Sequence, residues 1–200
     1  MCQKAVKYAG LLALLTLCFV PVSWGQISGV RDGVYTIDIF QNVQTLDGLK
    51  KVVNDGLQGD TPGTGNLCDL IYVFNQEQMS ECCGCVVTPN GSRDFDVKRN
   101  LTSNPLTGRF FNEVVVKEIS SGPIGASSDS SCNPTVPLPT AGLHSWAIKT
   151  EVVGALKGIT ETVSPYADLG PAEFSDLAED CGVLIELGSG LGVCSCGTFD

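Results

Sequence analysis

The chain has 200 residues, with 12 basic and 22 acidic side chains and a formal net charge of −10. An acidic surface repels phosphate backbones and anionic lipids, which argues against nucleic-acid binding and peripheral membrane binding. The length is sufficient for one domain with its own core, and 10 cysteines beside a single histidine point to disulfide chemistry.

The N-terminal segment has the three parts of a secretory signal peptide. Lys4 and Lys7 precede the apolar run 9–20, and Ser23 and Gly25 flank Trp24 in a small-x-small pattern. The apolar run is shorter than the roughly 20 residues that span a bilayer. The sequence therefore predicts a signal peptide over residues 1–25 and a single cysteine-rich domain over 26–200. Loss of the two lysines takes the net charge from −10 to −12.

Short apolar and β-branched runs follow, separated by turn residues. They predict strands at 34–40, 49–53, 70–74, 81–88, 93–98 and 110–119. In the last of these, Val114, Val116 and Glu118 alternate with Val115, Lys117 and Ile119. The Asn90-Gly91 turn predicts that 81–88 and 93–98 form a hairpin.

The C-terminal third contains the one predicted helix. Residues 120–142 are rich in Ser, Gly and Pro and predict a long surface loop, after which 143–153 returns to the sheet. Pro171 and Gly188 bound a helix over 171–187, whose apolar face contains Phe174, Leu177, Cys181, Leu184 and Ile185. A short strand or extended tail is expected at 190–196. The sequence thus predicts a mostly β fold, an antiparallel β-sandwich with one C-terminal helix, stapled by disulfides.

Eight cysteines remain in the mature chain. An even number in an exported chain predicts up to four disulfides, and the spacing leaves the pairing open. The candidates are Cys68, Cys82, Cys83, Cys85, Cys132, Cys181, Cys194 and Cys196. The C-x-x-C spacing of Cys82 and Cys85 also permits a metal or redox site, although the surrounding β-like sequence disfavours it.

No catalytic, cofactor-binding or metal-ligating residues are predicted, and no cofactor is expected. No nucleophile motif accompanies His144, and we interpret this histidine as an ordinary strand residue. Asp94 and Asp96 share one face of a strand and could support acid–base hydrolysis, although a solvated face is the simpler interpretation. Trp146 is expected in the core and not on a ligand-binding face.

Several segments together resemble a group of uncharacterised, exported, cysteine-rich bacterial proteins of the Acidobacteria type. The likeness lies in Cys68 with Tyr72-Val73-Phe74, in Glu81-Cys82-Cys83-Gly84-Cys85, in residues 100–107 and in residues 188–197. The resemblance implies a bacterial exported protein, and no activity is assigned to the group.

These observations favour an exported, non-enzymatic binding or structural module of the cell envelope or exterior, with a periplasmic or extracellular location. The expected partner is an unidentified extracellular or envelope component, with no membrane span after signal cleavage. The alternatives are a secreted hydrolase that uses loop carboxylates and a cysteine-based metal or redox protein.

Overall fold

A computed structural model of the protein describes residues 33–58, 65–76, 78–122, 126–154 and 156–199. The predicted signal peptide over 1–25 lies outside the described residues. Within these ranges, none of the helices combines the length and the apolar character needed to cross a bilayer.

Two antiparallel sheets face each other, and one helix covers the outside of the first sheet. The first sheet contains, in spatial order, β1 (Tyr35–Gln41), β6 (Glu113–Ser121), β3 (Leu67–Phe74) and β4 (Met79–Val87). The second contains β8 (Leu156–Val163), β7 (Leu143–Val153), β2 (Gly48–Asn54), β5 (Ser92–Asp96) and β9 (Thr198–Phe199). The helical segments are α1 (Val43–Leu46), a π turn (Val97–Leu101), a 3-10 turn (Asp129–Ser131) and α2 (Pro171–Leu187). The predicted sandwich with one C-terminal helix is confirmed.

Alternation along the strands divides the apolar side chains between two cores. Phe40, Ile71 and Val116 of the first sheet meet Val52 and Phe95 of the second in the space between the sheets. The opposite face of the first sheet packs against α2 in a second apolar cluster. The molecule therefore has three layers, in the order helix, four-stranded sheet and five-stranded sheet.

Helix α2 begins and ends where the sequence predicts. Pro171 occupies its first turn, and the Gly188 N–H donates to the Leu184 carbonyl at 2.9 Å. Leu177 and Leu184 are buried against the sheet, whereas Ile185 is 41% exposed. The prediction that Ile185 shares the buried face is wrong, because the contact follows the narrow row of residues 177, 181 and 184.

The predicted hairpin between residues 81–88 and 93–98 is also wrong. A turn does form, with Asn90 at φ 57° in the left-handed region, yet β4 and β5 belong to different sheets. Asn54 of β2 explains the crossing, because its backbone N–H bonds to the Gly91 carbonyl and its carbonyl accepts the Asn90 N–H. The Asn54 side chain also donates to the Val87 carbonyl at 2.9 Å. The turn is thus held by the second sheet, and the chain passes across the sandwich.

Strand β8 and the one-turn helix α1 were not predicted from the sequence. Gly154, at φ 66°, begins the tight turn that pairs β8 with β7 over eight residues. Asn42 and Asp47 flank α1 and both have positive φ, so the chain turns sharply between β1 and β2 without a glycine at either position.

All eight cysteines from Cys68 to Cys196 form disulfides, and three of them come from β4. Because successive side chains of a strand point to opposite faces, Cys82 faces α2 whereas Cys83 and Cys85 face the other way. The four bonds are Cys68–Cys132, Cys82–Cys181, Cys83–Cys194 and Cys85–Cys196. Val193 forms a parallel bridge with Cys82. The C-terminal tail therefore runs alongside β4, and its C-x-C pair matches the C-x-C pair of the strand.

Gly84 separates the two cysteines of β4 for a steric reason. A Cβ atom at this position would lie 2.0 Å from the Cys132 carbonyl oxygen, so the loop held by the Cys68–Cys132 disulfide can only dock on a bare backbone. We predict that Gly84→Ala lowers the free energy of unfolding by about 2–3 kcal/mol through overpacking.

Urea unfolding of the oxidised protein checks this prediction. Gly158→Ala is the matched control, because a Cβ atom there meets nothing within 4 Å. Equal unfolding midpoints for the two variants would contradict the steric role of Gly84.

Candidate functional site

The disulfides decide the arrangement at the C-x-x-C motif. Cys82 and Cys85 lie on opposite faces of β4 and bond to Cys181 and Cys196, not to each other. Among the described residues, no group of three or more His, Cys, Asp or Glu side chains is arranged so that it could hold a metal ion. The motif therefore works as two separate anchors for α2 and the C-terminal tail.

Asp94 and Asp96, the carboxylates considered for hydrolysis, form structural contacts with Lys51 and Arg99. Asp94 and Asp96 share the outer face of β5 as predicted, with Phe95 buried on the other face. Asp94 lies 3.1 Å from the ammonium nitrogen of Lys51, and Asp96 accepts the Arg99 N–H at 2.8 Å. The pair therefore stabilises the sheet surface and the start of the π turn.

His144 lies half-exposed at the start of β7. Its Nε2 is 3.5 Å from a carboxylate oxygen of Asp55, and its Nδ1 is 3.1 Å from the Tyr166 hydroxyl. The neighbouring Ser145 points to the opposite face of β7, where its hydroxyl accepts from Lys50. The histidine and this serine therefore do not form a nucleophile–base pair.

The expectation that Trp146 lies in the core is wrong. It pairs with Lys51 on the outer face of the second sheet, whereas the next residue, Ala147, is fully buried between the sheets. The same outer face carries Ile148 of β7 and Ile159 of β8. An apolar strip therefore covers part of the outer face of the second sheet.

The most unusual chemistry lies between the sheets. Lys50 of β2 is fully buried, and its ammonium nitrogen contacts Oδ2 of Asp38 and lies 2.9 Å from Oε2 of Glu118. It also donates to the hydroxyls of Ser164 at 2.6 Å and Ser145 at 3.2 Å. Burial lowers the pKa of Lys50, but the charges of Glu118 and Asp38 outweigh burial and raise it. We refer to Asp38, Lys50, Asp69 and Glu118 as the buried charge cluster.

Asp69 of β3 is the fourth ionisable group of this cluster. Burial, followed by the negative charge of Glu118, raises the pKa of Asp69 well above its usual range. Its Oδ2 and the Oε1 of Glu118 have no hydrogen-bond partner among the described residues. Both side chains line a small cavity of about 10 Å³, a volume that accommodates one water molecule. The sequence indicated that Glu118 shares a face with Val116. No pattern in it predicted that four ionisable groups lie close together in the fold.

Glu81 of β4 is a buried carboxyl group outside the buried charge cluster. Burial raises its pKa to about 8, partly offset by the hydrogen bond that its Oε1 accepts from the Asn104 N–H at 2.9 Å. The folded protein thus holds this proton more tightly than the unfolded chain does. The stability that the protonated form provides is complete at acid pH and declines as the pH rises from about 4.5 to about 8.

We therefore predict that Glu81→Gln gains stability over the parent protein as the pH rises. The amide retains the acceptor for Asn104 and cannot ionise, so the difference should grow by about 2–4 kcal/mol between pH ~5 and pH ~8. Urea unfolding at the two pH values measures it, with the exposed Glu179→Gln as control. A difference that is independent of pH would show that Glu81 is ionised in the fold.

Strand β8 forms an open edge of the second sheet. All eight of its side chains are exposed, and no described strand pairs with its far side. Leu156, Ile159 and Val163 are between 65% and 76% exposed. An edge strand of this kind presents backbone donors and acceptors to another strand.

A depression of about 670 Å³ lies beside α1. Its polar groups are engaged by the loop itself. The Lys98 ammonium donates to the Gln44 carbonyl, and the Asp47 carboxylate accepts the N–H groups of Gly48 and Lys98. The open edge and the buried charge cluster are therefore the stronger candidates for function.

Comparison with known proteins adds no relative. No family model, curated protein or solved structure matches the chain. Function must therefore be inferred from the geometry of the candidate sites themselves.

Proposed function

We propose that the protein is an exported, non-enzymatic binding or structural module of the cell envelope or exterior, and that it binds through the open edge of β8. Four disulfides are typical of proteins that fold in an oxidising compartment. The exposed strand carries the binding part of the proposal, because pairing of edge strands is a common mode of protein association.

The direction of the backbone groups of β8 follows from one hydrogen bond. The Ser164 N–H donates to the Ser145 carbonyl at 2.9 Å, which makes these two residues a hydrogen-bonded pair of the β7–β8 ladder. Such pairs alternate with pairs that are not bonded. The N–H and C=O groups that point away from β7 therefore belong to Lys157, Ile159, Glu161 and Val163, and these four residues define the open edge.

The occupant that best fits this edge is the β8 strand of a second copy of the chain. If two β8 strands pair antiparallel about Ile159, each Lys157 lies opposite Glu161 of the other copy. Both ion pairs then form between residues whose backbone groups already point outward. A register shifted by two residues, the smallest shift that keeps outward-pointing residues opposite one another, would place Ile159 opposite Glu161 and lose both pairs. Opposite charges directly across a ladder stabilise it by up to about 1 kcal/mol each, and like charges destabilise it.

We predict that reversing one charge of the open edge abolishes this association. In Glu161→Lys, each Lys157 meets a lysine of the other copy, so the protein should sediment as a monomer where the parent protein forms a dimer. The double variant Lys157→Glu/Glu161→Lys restores both ion pairs and should restore the dimer. Sedimentation equilibrium over a range of protein concentrations measures the change.

Glu151→Lys is the matched control, because this exposed residue of β7 lies opposite Gly158 and away from the outward groups of the open edge. It should leave the dimer intact. A parent protein that is monomeric at every concentration, or a double variant no better than Glu161→Lys, would overturn the pairing.

Export is tested separately. We predict that the protein recovered from its native cells lies outside the cytoplasm, begins at Gln26 and has no free thiol. N-terminal sequencing and thiol titration of the fractionated protein check all three points. Recovery from the cytosol with residues 1–25 attached and the thiols reduced would contradict export.

A further inference from the structure

The buried charge cluster holds an amine and a carboxyl group in contact, away from water. From this geometry we infer that Lys50 and Asp38 are a site of covalent modification within the chain, where the lysine Nζ and the aspartate Cγ join in an amide bond that crosslinks β2 to β1. This inference concerns the interior of the sandwich and is independent of the open edge.

The positions of the reacting groups favour condensation. Nζ of Lys50 contacts Oδ2 of Asp38, and both side chains are no more than 1% exposed. Contact fixed by the fold replaces a bimolecular encounter with a step inside one molecule, which removes much of the entropic barrier. Because burial makes separate charges costly, conversion of an ammonium and a carboxylate into one neutral amide removes both charges from the core.

Glu118 is placed to move the proton. Its Oε2 lies 2.9 Å from Nζ of Lys50 and accepts the Thr36 hydroxyl at 3.0 Å. A carboxylate within hydrogen-bond reach of an ammonium can serve as a general base. Glu118 takes a proton from Nζ, so that the nitrogen lone pair becomes free to attack Cγ of Asp38.

Lys149 faces the other oxygen of the acceptor. Its ammonium nitrogen is 3.8 Å from Oδ1 of Asp38. A positive charge at this oxygen stabilises the negative charge that develops there while the carbon is tetrahedral. Oδ1 therefore remains as the carbonyl oxygen of the amide, and Oδ2 is the oxygen that leaves.

The reaction balances without any other reactant. The C–N bond forms and the bond from Cγ to Oδ2 breaks. Of the three protons of the ammonium group, one stays on the amide nitrogen and two leave with Oδ2 as water, one of them by way of Glu118. The cavity of about 10 Å³ lined by Glu118, Asp69 and Thr36 is large enough to receive this water molecule.

The crosslink would supply a covalent bond between the two sheets. None of the four disulfides joins a strand of the first sheet to a strand of the second. An amide between β1 and β2 joins the two sheets directly and encloses α1 within a covalent ring.

Mass spectrometry of the folded, purified protein tests the inference. After reduction and denaturation, trypsin should fail to cleave at Lys50, because an acylated lysine is not recognised. The expected product is a peptide over residues 32–51 that is lighter than its sequence by the mass of one water molecule. This peptide contains no cysteine, so the disulfides do not affect the result. A peptide that ends at Lys50 with its full sequence mass would overturn the inference.

Two variants and one treatment separate the crosslink from other losses of water. Lys50→Arg retains the positive charge without an amine that acylates, and Glu118→Gln removes the base, so both should show the full mass. The Asp47-Gly48 step could also lose water by forming a succinimide, but mild alkali reverses that product and leaves an amide intact. Loss of water that persists in Lys50→Arg, or that alkali reverses, would overturn the inference. Because blocked cleavage at Lys50 and the response to alkali are both read on the parent protein, a variant that fails to fold does not obscure the outcome.

Discussion

The ammonium group of Lys50 fixes how the two sheets meet. It lies where no water reaches, and both of its carboxylate partners, Asp38 and Glu118, belong to the opposite sheet. A buried charge that loses its partner costs about 3–5 kcal/mol, so β2 has one stable position relative to β1 and β6. Apolar side chains fill much of the rest of the interface, and they would tolerate small shifts that the ion pairs do not.

The disulfides stabilise a different part of the molecule. All four begin on β3 or β4 and hold the loop, the helix and the C-terminal tail around that side of the first sheet. Cys82 and Cys83 make this possible, because adjacent residues of a strand point to opposite faces. The Lys50 side of the sandwich has no disulfide, so ionic contacts, or the amide that we propose in their place, hold the two sheets together there.

Local patterns in the sequence were sufficient for the fold class but not for the site. The strand alternation around Val116 and the Pro171 and Gly188 boundaries of the helix are local features, and the structure confirms them. The strand partners of β4 and β5 depend on distant contacts at Asn54, which no local pattern reveals. In β2, the alternation of apolar residues favours no face clearly, and burial of Lys50 follows only from carboxylates that arrive on other strands.

If β8 pairs as proposed, the charges along its open edge select the register of that pairing. Edge strands are usually protected by charges, prolines or bulges that hinder pairing. Lys157 and Glu161 are charges of opposite sign on one face of β8, four positions apart in the chain. Two like charges at these positions would face each other in the register centred on Ile159, whereas opposite charges pair in that register and place like charges opposite each other in the registers centred on Lys157 or Glu161. Because β7 joins β8 to β2, and Lys50 ties β2 to the first sheet, a load applied to this edge would reach the interior at the buried charge cluster.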